Sequence, residues 1–215
     1  MRLAIRRWYS FLGFQRKNIK NIKSIISPSE SSKSDIKKYF NCPEEKINVI
    51  WNGIDLSDHK LSTKVGFTTN LVTIISSDVP MKNLKTIIKA VALVKNEIPD
   101  IKLTIIGDLR KENEELIKKL DLRNNIDFKN KLSRSELIKT LNNSDIGVSG
   151  SLYEGFGFPL VEMIATGLPV ITSNRGSLPE LAGNAGLIFD ATSSSDLADK
   201  IRNLVNQNDL RQKLI

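Results

Sequence analysis

The amino-acid sequence predicts an α/β protein with one doubly wound, parallel sheet. From Leu71 onward, short runs dominated by β-branched residues alternate with helical stretches of roughly ten residues, the pattern of βαβ units. The first run, 71–75, is apolar almost throughout, as expected of a strand that helices cover on both faces. The chain has 215 residues, of which 40% are hydrophobic and 26% charged, so it can bury a core without a disulfide or a metal.

The predicted elements follow from this alternation and from local capping and turn signals. Strands are expected at 71–75, 101–106, 145–148 and 169–172, with a weaker one at 125–128. Helices are expected at 84–95, 111–120, 133–141 and 160–166, followed by one or two amphipathic helices within 195–214. Ahead of the sheet, the sequence indicates a short buried strand at 24–28, a helix at 29–40 and a strand at 47–50. Ser29 or Ser31 caps that first helix, and Ile36, Tyr39 and Phe40 share one of its faces.

The net charge of +8 comes largely from the first 23 residues. Seven of the 32 Lys and Arg residues lie there, ahead of Glu30, the first acidic residue, and the remainder is nearly neutral. We therefore expect no nucleic-acid partner. Segment 1–23 mixes its basic residues with four aromatic ones, which suits an anionic membrane surface. Because Arg7 falls within the apolar arc and Gly13 interrupts the segment, a helix that packs on another part of the protein is the alternative.

The sequence contains one cysteine and one histidine, which limits the disulfides and metal sites that it can form. Cys42 has no partner for an intrachain disulfide, and the lone His59 excludes a multi-histidine metal site. The sequence contains no apolar run of roughly 18 residues and no signal-peptide h-region. We expect a cytoplasmic protein, held at the inner face of the membrane if residues 1–23 bind there.

The segment after the 145–148 strand carries the most specific pattern. Ligands of doubly wound sheets bind outside the carboxyl ends of the strands, where this segment lies. Gly155 and Gly157 let the backbone approach a ligand closely, and the spacing brings Glu154 and Glu162 to one strand-to-helix junction. A carboxylate accepts two hydrogen bonds in a geometry that fits vicinal hydroxyls. The alternative is that Glu162, in the first helical turn, only complements the helix dipole and that Glu154 is a solvated loop acid.

Glu154 and Glu162 flank Gly-Phe-Gly-Phe-Pro with seven residues between them, and this arrangement resembles the E-x7-E motif of retaining glycosyltransferases of family 4. Further segments match that family in its own order. They are 27–33, 46–55, 81–83, 163–171, 178–180 and 185–189. The resemblance covers nearly the whole chain and implies the GT-B fold, of which this chain would be the C-terminal, Rossmann-like, donor-binding half.

The resemblance also implies roles for individual residues. Glu162 matches the residue that holds the ribose diol of the donor, and Lys82 matches the lysine that stabilises the departing diphosphate. The residues implied around the donor sugar are Glu154, Gly155, Phe156, Gly157 and Phe158. A fixed cation and backbone N–H groups can stabilise a leaving diphosphate without a metal, and the chain has no D-x-D pair. We expect neither a metal nor another cofactor.

One departure from the family pattern concerns the diphosphate. The family's glycine-arginine pair before the lysine is Ser76-Ser77 in this sequence. The arginine also binds phosphate in the family. Its loss would weaken diphosphate binding by about 1.5–3 kcal/mol if no other group replaces its charged hydrogen bonds.

The implied reaction moves a sugar from a nucleotide-diphosphate sugar to an acceptor hydroxyl with retention, in cell-envelope polysaccharide or glycolipid synthesis. The acceptor would be a saccharide or a lipid-linked molecule. Residues 1–45 would be the basic leader and a remnant of the acceptor half, and residues 46–215 the donor domain. On this hypothesis the chain is incomplete for catalysis and needs a separate N-terminal half. The alternative is a non-catalytic nucleotide-sugar-binding half or subunit.

Overall fold

A computed structural model of the protein describes residues 12–57, 66–75 and 78–215. Residues 1–11 of the predicted leader, His59 and the Ser76-Ser77 pair lie outside the described residues. The chain forms two compact units, Met1–Asn52 and Gly53–Ile215. The residues from Lys46 to Asn52, grouped with the donor domain in the sequence prediction, therefore belong structurally to the first unit. The functional assignment of the two domains remains a prediction.

The first unit is built around a two-stranded parallel sheet. Strand β1 (Ile25–Ser27) pairs with β2 (Ile47–Val49), and helix α1 (Glu30–Phe40) connects them together with a 3₁₀ turn at Glu44–Lys46. The hydroxyl of Ser29 accepts the N–H of Ser32, which confirms Ser29 as the N-cap. A small cluster packs between the sheet and α1. It consists of Ile19, Cys42 and Ile47 with Ile25, Ile36 and Phe40.

Two expectations for the first unit were wrong. Tyr39 is exposed rather than packed beside Ile36 and Phe40, because it lies on the solvent side of α1 with Lys38 over its ring. Strand β1 is not buried along its length, since alternate residues of a strand face opposite sides and Ile26 points outward.

The second unit contains a six-stranded sheet in which every strand pairs in parallel with its neighbours. Its strands are β3 (Asn70–Ile74), β4 (Lys102–Ile106), β5 (Ile126–Lys129), β6 (Ile146–Ser149), β7 (Val170–Ser173) and β8 (Gly186–Phe189). The spatial order is β5-β4-β3-β6-β7-β8. This arrangement confirms the predicted fold class. Strand β8 was not predicted as a strand.

Helices follow the strands as the alternation predicted. They are α2 (Leu84–Lys95), α3 (Lys111–Lys119), α4 (Arg134–Asn142), α5 (Phe158–Ala165), α6 (Leu178–Ala182), α7 (Ser194–Asn206) and α8 (Asn208–Lys213). The five-residue helix α6 was not predicted. In the described part of the chain, no helix combines the length and the apolar character that crossing a membrane requires.

Two apolar layers cover the opposite faces of the sheet. On one face, Leu71 of β3 and Leu103 of β4 belong to a cluster with α2 and α7. On the other face, Val72 of β3 packs in a cluster with α4, α5 and α6. Adjacent residues of β3 thus enter different layers, which explains why its sequence is apolar without alternation.

The amino ends of β3 and β6 are joined by Asp145. Its buried carboxylate accepts the N–H of Thr68 at 3.2 Å, the hydroxyl of Thr68 at 3.0 Å and the N–H of Asn70 at 2.8 Å. The N–H of Asp145 donates to the carbonyl of Asn70 at 2.7 Å. These contacts fix how β6 enters the sheet beside β3.

We expect Asp145→Asn to lower the free energy of unfolding by about 1–3 kcal/mol, because the amide replaces an ionised acceptor for several donors and leaves a buried group poorly matched. Urea unfolding followed by circular dichroism measures the change. Asp100→Asn, at an exposed position, is the matched control and should leave the unfolding midpoint unaltered. An equally small effect for both variants would contradict the role assigned to Asp145.

Candidate functional site

The candidate site lies at the carboxyl edge of the sheet, where the strand order changes direction. After β3 the chain builds β4 and β5 on one side, and it then returns to form β6 on the other side of β3. The loops that leave β3 and β6 therefore start side by side and diverge, which is where doubly wound sheets form a binding crevice. Lys82 is on the first of these loops and Glu154 on the second.

The structure brings Lys82 and Glu154 into direct contact. The Lys82 Nζ atom lies 2.6 Å from Glu154 Oε1, and the Ser151 hydroxyl donates to the same oxygen at 2.8 Å. The side chains of Lys82 and Glu154 are only 17% and 18% exposed. Glu154 is therefore not a solvated loop acid. The candidate site thus contains a cation, Lys82, whose charge is balanced by the neighbouring carboxylate of Glu154.

Asn83, which follows Lys82, ties three strand ends together. It adopts a left-handed conformation with a φ of 55°, and its amide donates to the carbonyls of Gly150 at 3.0 Å and Ala191 at 2.9 Å. The N–H of Leu152 donates to the carbonyl of Met81 at 2.8 Å. These contacts lock the loop after β3 to the loops after β6 and β8. The sequence indicated Asn83 only as part of a matching segment and gave it no role.

The predicted donor-sugar loop, Gly155 to Phe158, leads into α5. Gly157 has a φ of 108°, a conformation that favours glycine, and it directly precedes the helix. The Phe156 side chain is buried and its ring contacts that of Phe158 edge-on, with centroids 5.2 Å apart. Phe156 can thus offer a ligand its backbone only, whereas Phe158 is about half exposed, at 47%.

A second loop, after β7, donates hydrogen bonds to the backbone of the Glu154 loop. The buried Ser177 hydroxyl donates to the carbonyls of Glu154, at 3.1 Å, and Phe156, and the Ser177 N–H also donates to Glu154, at 3.2 Å. Gly176 has a φ of 56°, and a Cβ at this position would lie 2.6 Å from the Glu154 carbonyl oxygen. Sequence reasoning missed Gly176 and Ser177, whose only signal is a Gly-Ser pair between a strand and a proline-containing helix.

Glu162 lies elsewhere than predicted on its helix. Because α5 begins at Phe158, Glu162 is its fifth residue, and the first turn contains no acid. Its carboxylate pairs with the guanidinium of Arg134, the first residue of α4. The interpretation of Glu162 as a dipole-complementing residue of the first turn was therefore wrong. Its ion pair with Arg134 was not predicted.

Other polar groups surround the turn that carries Lys82. A cavity of about 540 Å³ shares Val79, Pro80 and Asn83 with that turn. At its wall, the buried Asp78 carboxylate accepts the N–H of Arg110 and the amide of Asn113, both at 2.8 Å. Among the residues that the structure describes, no three His, Cys, Asp or Glu side chains form a group able to hold a metal ion.

Comparison with known proteins agrees with this geometry. The parallel sheet with its crevice is the fold of GT-B glycosyltransferases. One solved structure with this fold is a mutant of S. aureus TarM in complex with Fondaparinux, alpha-GlcNAc-glycerol and UDP. It aligns with a TM-score of 0.81 at 24% sequence identity, over 94% of this chain and 41% of that one. Residues 59–215 match the family model described as glycosyl transferases group 1, and residues 2–58 match that of glycosyltransferase family 4. The chain belongs to the group 1 glycosyl transferases, and the resemblance to GT-B glycosyltransferases of family 4 is confirmed; retention stays a prediction.

Two curated relatives are mannosyltransferases. The MMP alpha-(1->4)-mannosyltransferase of Mycolicibacterium hassiacum is 32% identical over 85% of this chain and 44% of its own length. The O-antigen chain mannosyltransferase RfbU of Salmonella typhimurium is 25% identical over 87% of this chain and 52% of its own length. The chain thus spans about half the length of these relatives.

We expect Gly176→Ala to destabilise the protein by at least about 1 kcal/mol, because the new Cβ would meet the backbone of Glu154 in a conformation that already strains an L residue. The Glu154 loop should become a site of limited proteolysis, located by mass spectrometry of the fragments. Gly183→Ala serves as the control, since Gly183 also has a positive φ but no atom within 4 Å of its Cβ position. Cleavage at the Glu154 loop in neither variant, or in both alike, would contradict the steric role of Gly176.

Proposed function

We propose that this chain is the donor-binding half of a retaining glycosyltransferase that uses a nucleotide-diphosphate sugar. The observation that carries the proposal is the Lys82–Glu154 pair, which lies at the switch point of the sheet with the glycine-containing loop beside it. Lys82 supplies a positive charge where the diphosphate would depart. The Glu154 loop presents backbone to the sugar, and Glu162 on the following helix supplies a carboxylate for the ribose.

The chemistry requires negative charge to be stabilised as it grows. When the bond between the anomeric carbon and the diphosphate breaks, the leaving group gains charge, and a fixed cation stabilises the transition state more than the ground state. In the ligand-free protein that cation is paired with Glu154 at 2.6 Å. The arriving diphosphate replaces Glu154 as the partner of Lys82, and Glu154 is released toward the sugar. No divalent metal takes part in this proposal.

The names of the relatives support a more particular substrate class. The M. hassiacum and S. typhimurium proteins are mannosyltransferases, and the latter acts on the O-antigen chain according to its name. We infer that the sugar is a mannosyl group and that the acceptor is a cell-envelope polysaccharide or glycolipid. The UDP complex of TarM supports a nucleoside diphosphate as the ligand of the site.

Isothermal titration of the 215-residue chain with GDP, UDP and their mannose and glucose conjugates tests the proposal. We expect at least one of these ligands to bind with the same affinity in magnesium and in EDTA. Binding that requires magnesium would overturn the metal-independent assignment. Absence of binding to the whole panel would overturn the donor site.

The role of Lys82 is tested by Lys82→Met. We expect the affinity for a nucleoside diphosphate to fall about tenfold or more, because the cation is lost and Glu154 is left to repel the phosphates. The double variant Lys82→Met/Glu154→Gln should recover part of this loss, since it removes the repelling charge as well. Affinity for the corresponding nucleoside without phosphates should not change.

Lys89→Met is the matched control, because Lys89 is exposed on the next helix, α2, away from the cavity beside Lys82. It removes the same charge without touching Glu154, and it should bind the diphosphate like the unmodified protein. An equal loss of affinity for nucleoside and diphosphate in Lys82→Met would reduce Lys82 to a structural tie between loops.

A further inference from the structure

An ion pair between two helices connects the proposed ribose-binding carboxylate to a residue with no assigned role. The guanidinium of Arg134, on α4, contacts the carboxylate of Glu162, on α5. The two helices cover the same face of the sheet, where Leu141 of α4 and Leu160 and Met163 of α5 belong to one buried cluster. The first residue of α4 and the fifth residue of α5 are thereby held near the carboxyl edge.

Helix stability does not explain an arginine at this position. Arg134 is the first residue of α4, where the helix dipole disfavours a positive charge. The helix start is already secured by a capping box, in which the Ser133 side chain and backbone bond to the Glu136 carboxylate. These hydrogen bonds hold the pKa of Glu136 below its ordinary value, so Glu136 is ionised and engaged by Ser133. Arg134 is directed to Glu162 on the neighbouring helix instead.

The geometry of the pair leaves room for a ligand. The contact joins Nη1 of Arg134 to Oε1 of Glu162, and Oε2 has no hydrogen-bond partner among the described residues. The side chain of Glu162 is 20% exposed and that of Arg134 is 40% exposed, so solvent reaches both partners of the pair. A glutamate side chain has several rotatable torsions, and an ion pair that fixes one oxygen limits where the other can point.

We propose that Arg134 is a positioning residue of the donor site: it fixes the Glu162 carboxylate so that it can accept the vicinal hydroxyls of a nucleotide ribose. The inference rests on the proposed function, because it takes the ribose as the ligand of Glu162. It adds a residue that acts through Glu162 and contacts no phosphate. The effect of removing Arg134 should therefore depend on the ribose hydroxyls of the ligand.

The test compares GDP with 2′,3′-dideoxyGDP, and UDP with 2′,3′-dideoxyUDP, by isothermal titration. In Arg134→Gln we expect the affinity for the ribonucleotide to fall about twofold to fivefold, the range of a partly exposed ion pair, with no change for the dideoxy analogue. Glu162→Gln should lose at least about tenfold for the ribonucleotide. Adding Arg134→Gln to Glu162→Gln should cause no further loss, because Arg134 acts through Glu162.

Two further variants test whether a loss of affinity depends on the cation opposite Glu162 or follows from removing any positive charge from α4. Arg134→Lys keeps a cation opposite Glu162 and should recover most of the ribonucleotide affinity. Lys139→Gln removes the same charge from the last turn of α4 and should bind every ligand unchanged. Circular dichroism of each variant confirms that it is folded before titration.

The outcomes separate this inference from the proposed function. If the unmodified chain binds neither diphosphate, the donor site itself fails, and the role of Arg134 fails with it. If the chain binds but Arg134→Gln leaves the affinity unchanged or raises it, only the positioning role is overturned. An equal loss for ribonucleotide and dideoxy analogue, or additive losses in the double variant, would also overturn it, because Arg134 would then act on the ligand independently of Glu162.

Discussion

The parallel pairing around β3 is the constraint on which the candidate site depends. Strands β4 and β6 flank β3, so the crossovers on its two sides leave the sheet in opposite directions and no connection fills the space between them. Lys82 and Glu154 are 72 residues apart in sequence, yet their loops begin at neighbouring strand ends and the side chains meet at 2.6 Å. The apolar layers on both faces of β3 make this order stable, because each adjacent residue of the strand is buried in a different layer.

The positions of the site loops are fixed mainly by hydrogen bonds to their backbone. Asn83 holds the carbonyls of Gly150 and Ala191, and Ser177 holds those of Glu154 and Phe156. Buried backbone groups must find such partners, so the loops cannot move without losing several bonds at once. This explains why Asn83 and Ser177, polar residues with no assigned chemistry, lie directly beside the residues that have one.

Much of the second unit follows from the sequence because its signals are local. Helix α2 begins and ends where the apolar periodicity predicted, and the strand positions agree to within a residue or two. Strand β8 is different: the run at 186–189 is short, begins with glycine and is only partly buried, and its pairing with β7 makes it a strand. Helix α6 is too short for a periodic pattern to appear.

In the candidate site, too, local sequence patterns predict some features, and contacts between residues distant in sequence determine the others. That Lys82 and Glu154 share one edge follows from the rule that ligands bind at the carboxyl ends of parallel strands. The place of Glu162 in its helix depended on where α5 begins, and the left-handed Gly157 sets that point two residues earlier than predicted. Arg134 and Glu162 are 28 residues apart in sequence and lie on different helices, so no local sequence pattern predicts their pairing.

The two ion pairs of the site differ in kind from the contacts that fix its loops. Arg134–Glu162 is partly exposed, and such a pair contributes little net stability, because solvent screens it and the side chains lose entropy. Lys82–Glu154 is less exposed, and its attraction is offset by the water that both groups give up. A ligand that offers better partners can therefore replace or share them at small cost. A nucleotide sugar offers both: a diphosphate for the lysine and vicinal hydroxyls for the carboxylate. The backbone contacts keep the charged groups in place, and in the proposed function the nucleotide sugar would exchange or share the two ion pairs.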